Sequence, residues 1–131
     1  INEKLLKICQ LLDQEYSYFN WTGFYFRNGD KEELILGPYV GAATDNTVIT
    51  FGKGICVKVA VSNETFVVPD VWEQDNYLAC SLDTKAEIVV PIIKDGKNIG
   101  QIDIDSHTHN PFTAEDREML EWLCDEIAKK M

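Results

Sequence analysis

The chain has 131 residues, 45% of them hydrophobic, which is enough to close one core but not two, so residues 1–131 read as a single α+β domain. Its 12 Lys and Arg against 22 Asp and Glu leave a net charge of −10, which repels phosphate backbones and anionic lipid and argues against nucleic acid or a membrane as partner. No apolar run approaches the roughly 18 residues of a membrane span and the charged first segment is no secretory leader, so a cytoplasmic protein is expected.

The first element reads as a helix. Asn2 is a candidate N-cap, and Leu5, Ile8, Cys9 and Leu12 fall at i, i+3, i+4 and i+7. Strand-like segments follow at 21–27, 33–40 and 47–51, with Asn28-Gly29 marking a hairpin turn. The next stretch supports two readings. Ile55, Val57, Val59 and Val61 alternate like a strand, while the entry through Gly52-Lys53-Gly54 suits the start of a helix. In the helical reading Cys56 occupies the first turn, where the positive end of the dipole favours a thiolate. Further strands are expected at 65–68, 87–93 and 98–105, the last two joined at Asp95-Gly96. The final helix is announced by Thr113 with Asp116 three residues on, a weaker form of the capping box just after Pro111, and Leu120, Leu123, Cys124 and Ile127 form its apolar stripe. The pattern predicts a mostly antiparallel sheet with helices packed on it.

Cys9 and Cys124 sit inside apolar helical stripes and read as core residues where the terminal helices meet. Cys56 and Cys80 do not. Together with Glu87 and the run Gln101-Ile102-Asp103-Ile104-Asp105 they suggest thiol redox chemistry beside carboxylates. Asp103 and Asp105 alternate with isoleucines, so both carboxylates leave one face of the strand, a face suited to an ammonium group. The plainer reading of that alternation is a solvated strand face, and the plainer reading of Trp21 is a half-buried sheet residue. His107-Thr108-His109 stands in a polar loop with no second ligand pair nearby, so no metal site is expected. Gly52-Lys53-Gly54 is neither a phosphate-binding loop nor a dinucleotide fingerprint, because Val57 takes the place of the third glycine.

Asn20-Trp21-Thr22-Gly23-Phe24-Tyr25, Leu36-Gly37-Pro38, Gly52-Lys53-Gly54-Ile55-Cys56, Val68-Pro69-Asp70-Val71, Leu78-Ala79-Cys80, Glu87-Ile88-Val89-Val90-Pro91 and Ile99-Gly100-Gln101-Ile102-Asp103-Ile104-Asp105-Ser106 occur in that order. This set resembles the free methionine-(R)-sulfoxide reductases, small enzymes built on the GAF fold. The resemblance implies six antiparallel strands, the terminal helices together on one face, the ligand pocket on the other, and a helix after Cys56. It also implies Cys80 as the attacking thiol and Cys56 as the resolving thiol, closing a Cys56–Cys80 disulfide. The reverse assignment stays open through the helix-dipole argument. The family's best-known members carry a third cysteine ten residues before the position of Cys56, where this chain has Asn46, so it resembles the two-cysteine branch.

The resemblance further implies catalysis without a bound cofactor, turnover by an external thiol such as thioredoxin, and a homodimer. In this reading Glu87 stays protonated and bonds the sulfoxide oxygen, Asp103 and Asp105 receive the substrate ammonium, and Trp21 packs on the thioether. Tyr77, where the family often has His, helps shape the pocket. The competing reading is a GAF sensor module or a thiol switch that binds without turnover. No output domain stands within these residues, which favours the enzyme.

Overall fold

The computed structural model describes residues 2–29, 31–44, 47–50, 59–60, 62–70 and 84–131. Helix α1 (Asn2–Glu15) precedes strands β1 (Trp21–Arg27), β2 (Glu33–Val40), β3 (Val48–Thr50), β4 (Phe66–Val68), β5 (Ala86–Lys94) and β6 (Lys97–Ser106), and α2 (Ala114–Lys129) ends the fold. The strands form one sheet in the order β3-β2-β1-β6-β5-β4, with every neighbouring pair antiparallel. This is the α+β architecture expected from the sequence. Strands β3 and β4 are shorter than the 47–51 and 65–68 segments, and α1 begins at Asn2, which is its first residue and not its cap.

Period-2 alternation divides the sheet into two faces. Phe24, Ile88, Val90, Ile92, Ile102 and Ile104 point one way and form a single core with Leu5, Cys9 and Leu12 of α1 and Leu120, Cys124 and Ile127 of α2. Each large aliphatic buried here stabilises the fold by about 1.5–3 kcal/mol before entropy is subtracted. Both helices therefore cover the same face. The two helical cysteines stand over different strands, however, and do not mark a helix–helix seam: the Cys9 thiol donates to Pro38 O at 3.7 Å and the Cys124 thiol to Val90 O at 3.8 Å. Burial pushes both thiols up, Cys9 to about 12, so neither supplies a thiolate near neutral pH.

Prolines sit where a strand can spare an N–H. Gly23 pairs with Tyr39 but Tyr25 pairs with Leu36, so β2 carries one extra residue at Gly37-Pro38, a bulge that accommodates the proline. Pro91 of β5 lies beyond the last β4 pair, Phe66 with Val89, and leaves no ladder bond unmade on that side. Asp95-Gly96, with φ of 52° and 77°, makes the expected two-residue turn between β5 and β6. Asn28-Gly29 does not make one. It opens a longer connection in which Asn28 Nδ2–H donates to Glu33 Oε1 at 2.6 Å and Lys31 N–H to Asn28 O at 3.1 Å.

The stretch that supported two readings is helical where it is described: Val59, Ala60 and Ser62 are in helix, and Asn63 N–H donates to Val59 O at 2.9 Å. Among the described residues no helix is long and apolar enough to cross a membrane.

Thr113 caps α2. Its hydroxyl accepts from Asp116 N–H at 3.1 Å, its own N–H donates to Asp116 Oδ2 at 3.0 Å, and the same carboxylate oxygen accepts from Tyr18 OH at 2.7 Å. Asp116 thus ties the α1–β1 connection to the start of α2, while burial and this hydrogen bond raise the Tyr18 hydroxyl to about 12. Thr113→Ala is expected to lower stability by about 1 kcal/mol, with Thr113→Ser restoring most of it. Urea unfolding followed by far-ultraviolet circular dichroism measures the difference.

Candidate active site

Strand β6 positions the site because it lies between β1 and β5 and pairs with both. Asp105 faces Trp21 on one side and Glu87 on the other, while Asp103 faces Gly23 and Val89. Ile102 and Ile104 are buried under the helices, so Asp103 and Asp105 are forced to the opposite face. One carboxylate oxygen from each of Glu87, Asp103 and Asp105 lies within 4.8 Å of the others. The side chains are not solvated: Glu87 is 2% exposed and each aspartate 1%. The wet-face reading of the alternation is therefore wrong for this strand.

Three carboxyl groups so close and so far from water cannot all be ionised. Glu87 is the carboxyl pushed toward its protonated form. Burial lifts its carboxyl well above the ordinary 4.5, and the charges of Asp103 and then Asp105, followed by hydrogen bonds to both, lift it further. The arrangement offers a cation a concentrated negative site with one acidic proton alongside. By spacing it suits an ammonium group or a metal ion, though a divalent ion would first have to displace the Glu87 proton.

Trp21 forms the wall of this face and is 2% exposed, more deeply buried than a typical sheet aromatic. Its Nε1–H donates to Ala42 O at 3.0 Å. It packs with Tyr25, Leu34, Ile49, Val68 and Val89 in the core on the side away from α1 and α2. Val59 and Ala60, which follow Cys56 in sequence, are buried in the same cluster, and Lys85, which follows Cys80, donates its N–H to Ser106 O at 2.8 Å beside Asp105. Cys56, Cys80, Tyr77 and Asn46 themselves lie outside the described residues.

Sequence reading overlooked Tyr25, Gln101 and Tyr39. Tyr25 and Gln101 pair with each other across β1 and β6 and are wholly buried on the acid face. Their signal was present, since Tyr25 is four residues from Trp21 and Gln101 two from Asp103, both even spacings on a strand. Tyr39 was hidden by the β2 bulge, which breaks the simple alternation. The histidines are elsewhere: His109 Nδ1 is 3.8 Å from Asp70 Oδ2 on an exposed loop, and His107 N–H donates to Asn20 Oδ1 at 2.7 Å.

Residues 5–131 match the GAF domain family. Over 112 residues the chain is 46% identical to the free methionine-R-sulfoxide reductase of Saccharomyces cerevisiae, covering 84% of this chain; it spans 62% of that relative's length. The solved structure of the type II free methionine-R-sulfoxide reductase from Thermoplasma acidophilum superposes with a TM-score of 0.93 at 35% identity, covering 98% of this chain and 89% of the other. The free methionine-R-sulfoxide reductase from Neisseria meningitidis, solved in complex with its substrate, gives a TM-score of 0.92 at 33% identity over 98% of this chain and 76% of that one.

The raised Glu87 carboxyl has a consequence for stability. Above its ordinary 4.5 the unfolded chain has released this proton while the folded protein still binds it, so the acid cluster costs stability increasingly as pH rises through the window up to the folded value. Glu87→Gln keeps the shape without the titration. The variant is expected to equal or slightly trail the parent near about pH 5 and to exceed it near about pH 8, read by urea unfolding at both. An advantage that shrinks with rising pH would contradict the assignment of the proton.

Proposed function

Because the chain belongs to the GAF domain family and, within it, to the free methionine-R-sulfoxide reductases, we propose that it reduces free methionine-(R)-sulfoxide to methionine with thiols. The observation that carries the proposal is the buried Glu87, Asp103 and Asp105 cluster beside Trp21, a site that pairs an acidic proton with a receptor for an ammonium group.

In this reading the substrate's ammonium sits on Asp103 and Asp105, its methyl and thioether carbons pack on the Trp21 indole, and Tyr77 completes the pocket. The Glu87 carboxyl faces the sulfoxide oxygen. Cys80 attacks the sulfoxide sulfur as a thiolate while the oxygen is protonated by Glu87. The S–S bond formed in that attack and the S–O bond then both break as the oxygen passes to the Cys80 sulfur, so methionine leaves with its sulfur reduced by two electrons and Cys80 is oxidised by two to a sulfenic acid. The Cys56 thiol then displaces that oxygen as water and forms the Cys56–Cys80 disulfide. A dithiol reductant of the thioredoxin class reopens the disulfide by exchange and supplies the two electrons, so the cycle uses no bound cofactor. Selectivity for the free amino acid follows from the same acids, because a residue inside a peptide has no ammonium to offer them.

The test is consumption of free methionine-(R)-sulfoxide by the protein with dithiothreitol, alongside the S epimer, a peptide-bound sulfoxide and Cys80→Ser. Turnover of the free R form alone, abolished in Cys80→Ser, is expected. No turnover of any sulfoxide would refute the enzyme and leave a ligand-binding GAF domain. Glu87→Gln separates two roles for the acid: it is expected to lose about 10²-fold or more in kcat, the scale of a missing proton donor. A loss of only a few fold would reduce Glu87 to a hydrogen-bond donor.

A further inference from the structure

The Trp21 ring is held by contacts that the reaction proposed above does not use. Its plane lies within 19° of the Tyr39 ring with centroids 5.3 Å apart, a stacked pair. Tyr39 belongs to β2 and pairs directly with Gly23 of β1. A Cβ built on Gly23 would meet indole Cη2 at 2.5 Å and Tyr39 Cβ at 2.7 Å, so the ring extends along β1 and fills the space a side chain at position 23 would need. At the other end of the ring Gly41 has φ +135° and a Cβ there would stand 2.6 Å from indole Cδ1, which leaves glycine as the residue that fits. The hydrogen bond from Nε1 to Ala42 O fixes the rotation that remains.

The indole therefore runs from position 21, opposite Asp105, to position 23, opposite Asp103. Tyr39 approaches from the β2 side, and the two aspartates stand on the β6 side. Tyr39 is half-buried while Trp21 is almost fully buried, so the tyrosine is the part of the pair that meets water.

We infer that Tyr39, seated against Gly23, is a positioning residue that clamps the Trp21 indole from the β2 side, so that a ligand anchored through its ammonium on Asp103 and Asp105 meets a pre-set apolar wall. The inference rests on the proposed substrate for its ligand, but not for the clamp. Stacking needs the aromatic ring and not the hydroxyl, so phenylalanine serves equally well. Tyr39 touches no reacting atom, and a wall for the unreactive methyl and thioether carbons contributes the same binding before and during the reaction. Its loss therefore falls on KM and spares kcat.

The test uses fluorescence and kinetics on the same proteins. The chain has three tryptophans, so Trp72→Phe with Trp122→Phe leaves Trp21 as the sole indole, and every comparison is made within that background. Tyr39→Ala is expected to shift Trp21 emission to longer wavelength, to increase its quenching by acrylamide, and to raise KM for free methionine-(R)-sulfoxide about tenfold with kcat within about twofold. Tyr39→Phe is expected to restore all three. Gly23→Ala disturbs the ring from beneath and is expected to reproduce the emission shift. If Tyr39→Ala does not fold, Tyr39→Leu fills the space without an aromatic face and is read the same way. Unchanged quenching in the Tyr39 variants overturns the clamp. Raised quenching with unchanged KM overturns its part in binding. An unsubstituted parent that consumes no sulfoxide sinks the proposed reaction instead, and the quenching series alone then decides whether Tyr39 holds the ring.

Discussion

Three carboxyl groups share a few ångströms of dry protein, and the rest of the fold is arranged so that they can. Burying like charges opposes folding. The cluster survives by keeping a proton on Glu87 and by being built on the most securely held part of the molecule. Strand β6 is paired along both edges, and the isoleucines between its aspartates are locked into the core beneath both helices. The acids cannot turn to solvent without pulling Ile102 and Ile104 out of that core. A one-residue slip of register would exchange the two sets, which is why the apolar face specifies the polar one.

The helical face thus stabilises what the opposite face costs. On one side the Thr113 cap, the Asp116 bond to Tyr18 and the aliphatic core are conventional sources of stability. On the other, the buried cluster of carboxyl groups gives up stability for shape. Such a division is common where a site must be set before its ligand arrives, because the groups that hold a ligand are rarely the groups that would be chosen to hold a fold.

Much of this was legible from residues alone. The i, i+3, i+4 stripes located both helices, β-branched and aromatic runs located the strands, and Asp95-Gly96 named its own turn. The alternation of Asp103 and Asp105 gave their shared face but not their burial, since a wet strand face and a dry acid cluster have the same period. What separates them is Glu87, which pairs with Asp105 from 18 residues earlier in the chain, and no local window contains that pairing. Asn28-Gly29 misled because the dipeptide that favours a two-residue hairpin also opens longer turns, and here its side chain bonds to Glu33 five residues on. Tyr39 went unnoticed because the bulge at Gly37-Pro38 shifts the phase of β2, and only the strand pairing shows which face it takes.

The proposed reaction has to reconcile this acid face with a thiolate. The protein's own buried cysteines show what a thiol does without a compensating charge: Cys9 is lifted to about 12, chiefly by burial. A reactive thiol beside Glu87, Asp103 and Asp105 would face negative charge in addition, and in the empty site it should stay protonated. In the proposed reaction the substrate would bring the missing charge. Its ammonium on the aspartates would offset part of the negative field as the sulfoxide oxygen reaches the Glu87 proton, so ligand binding would favour the thiolate and supply the group it attacks together. A ligand without the ammonium would occupy the pocket and leave the thiol unactivated. The same carboxylates that burden the fold would then restrict the chemistry to one kind of substrate, and an empty enzyme would keep its thiols in the less oxidisable form.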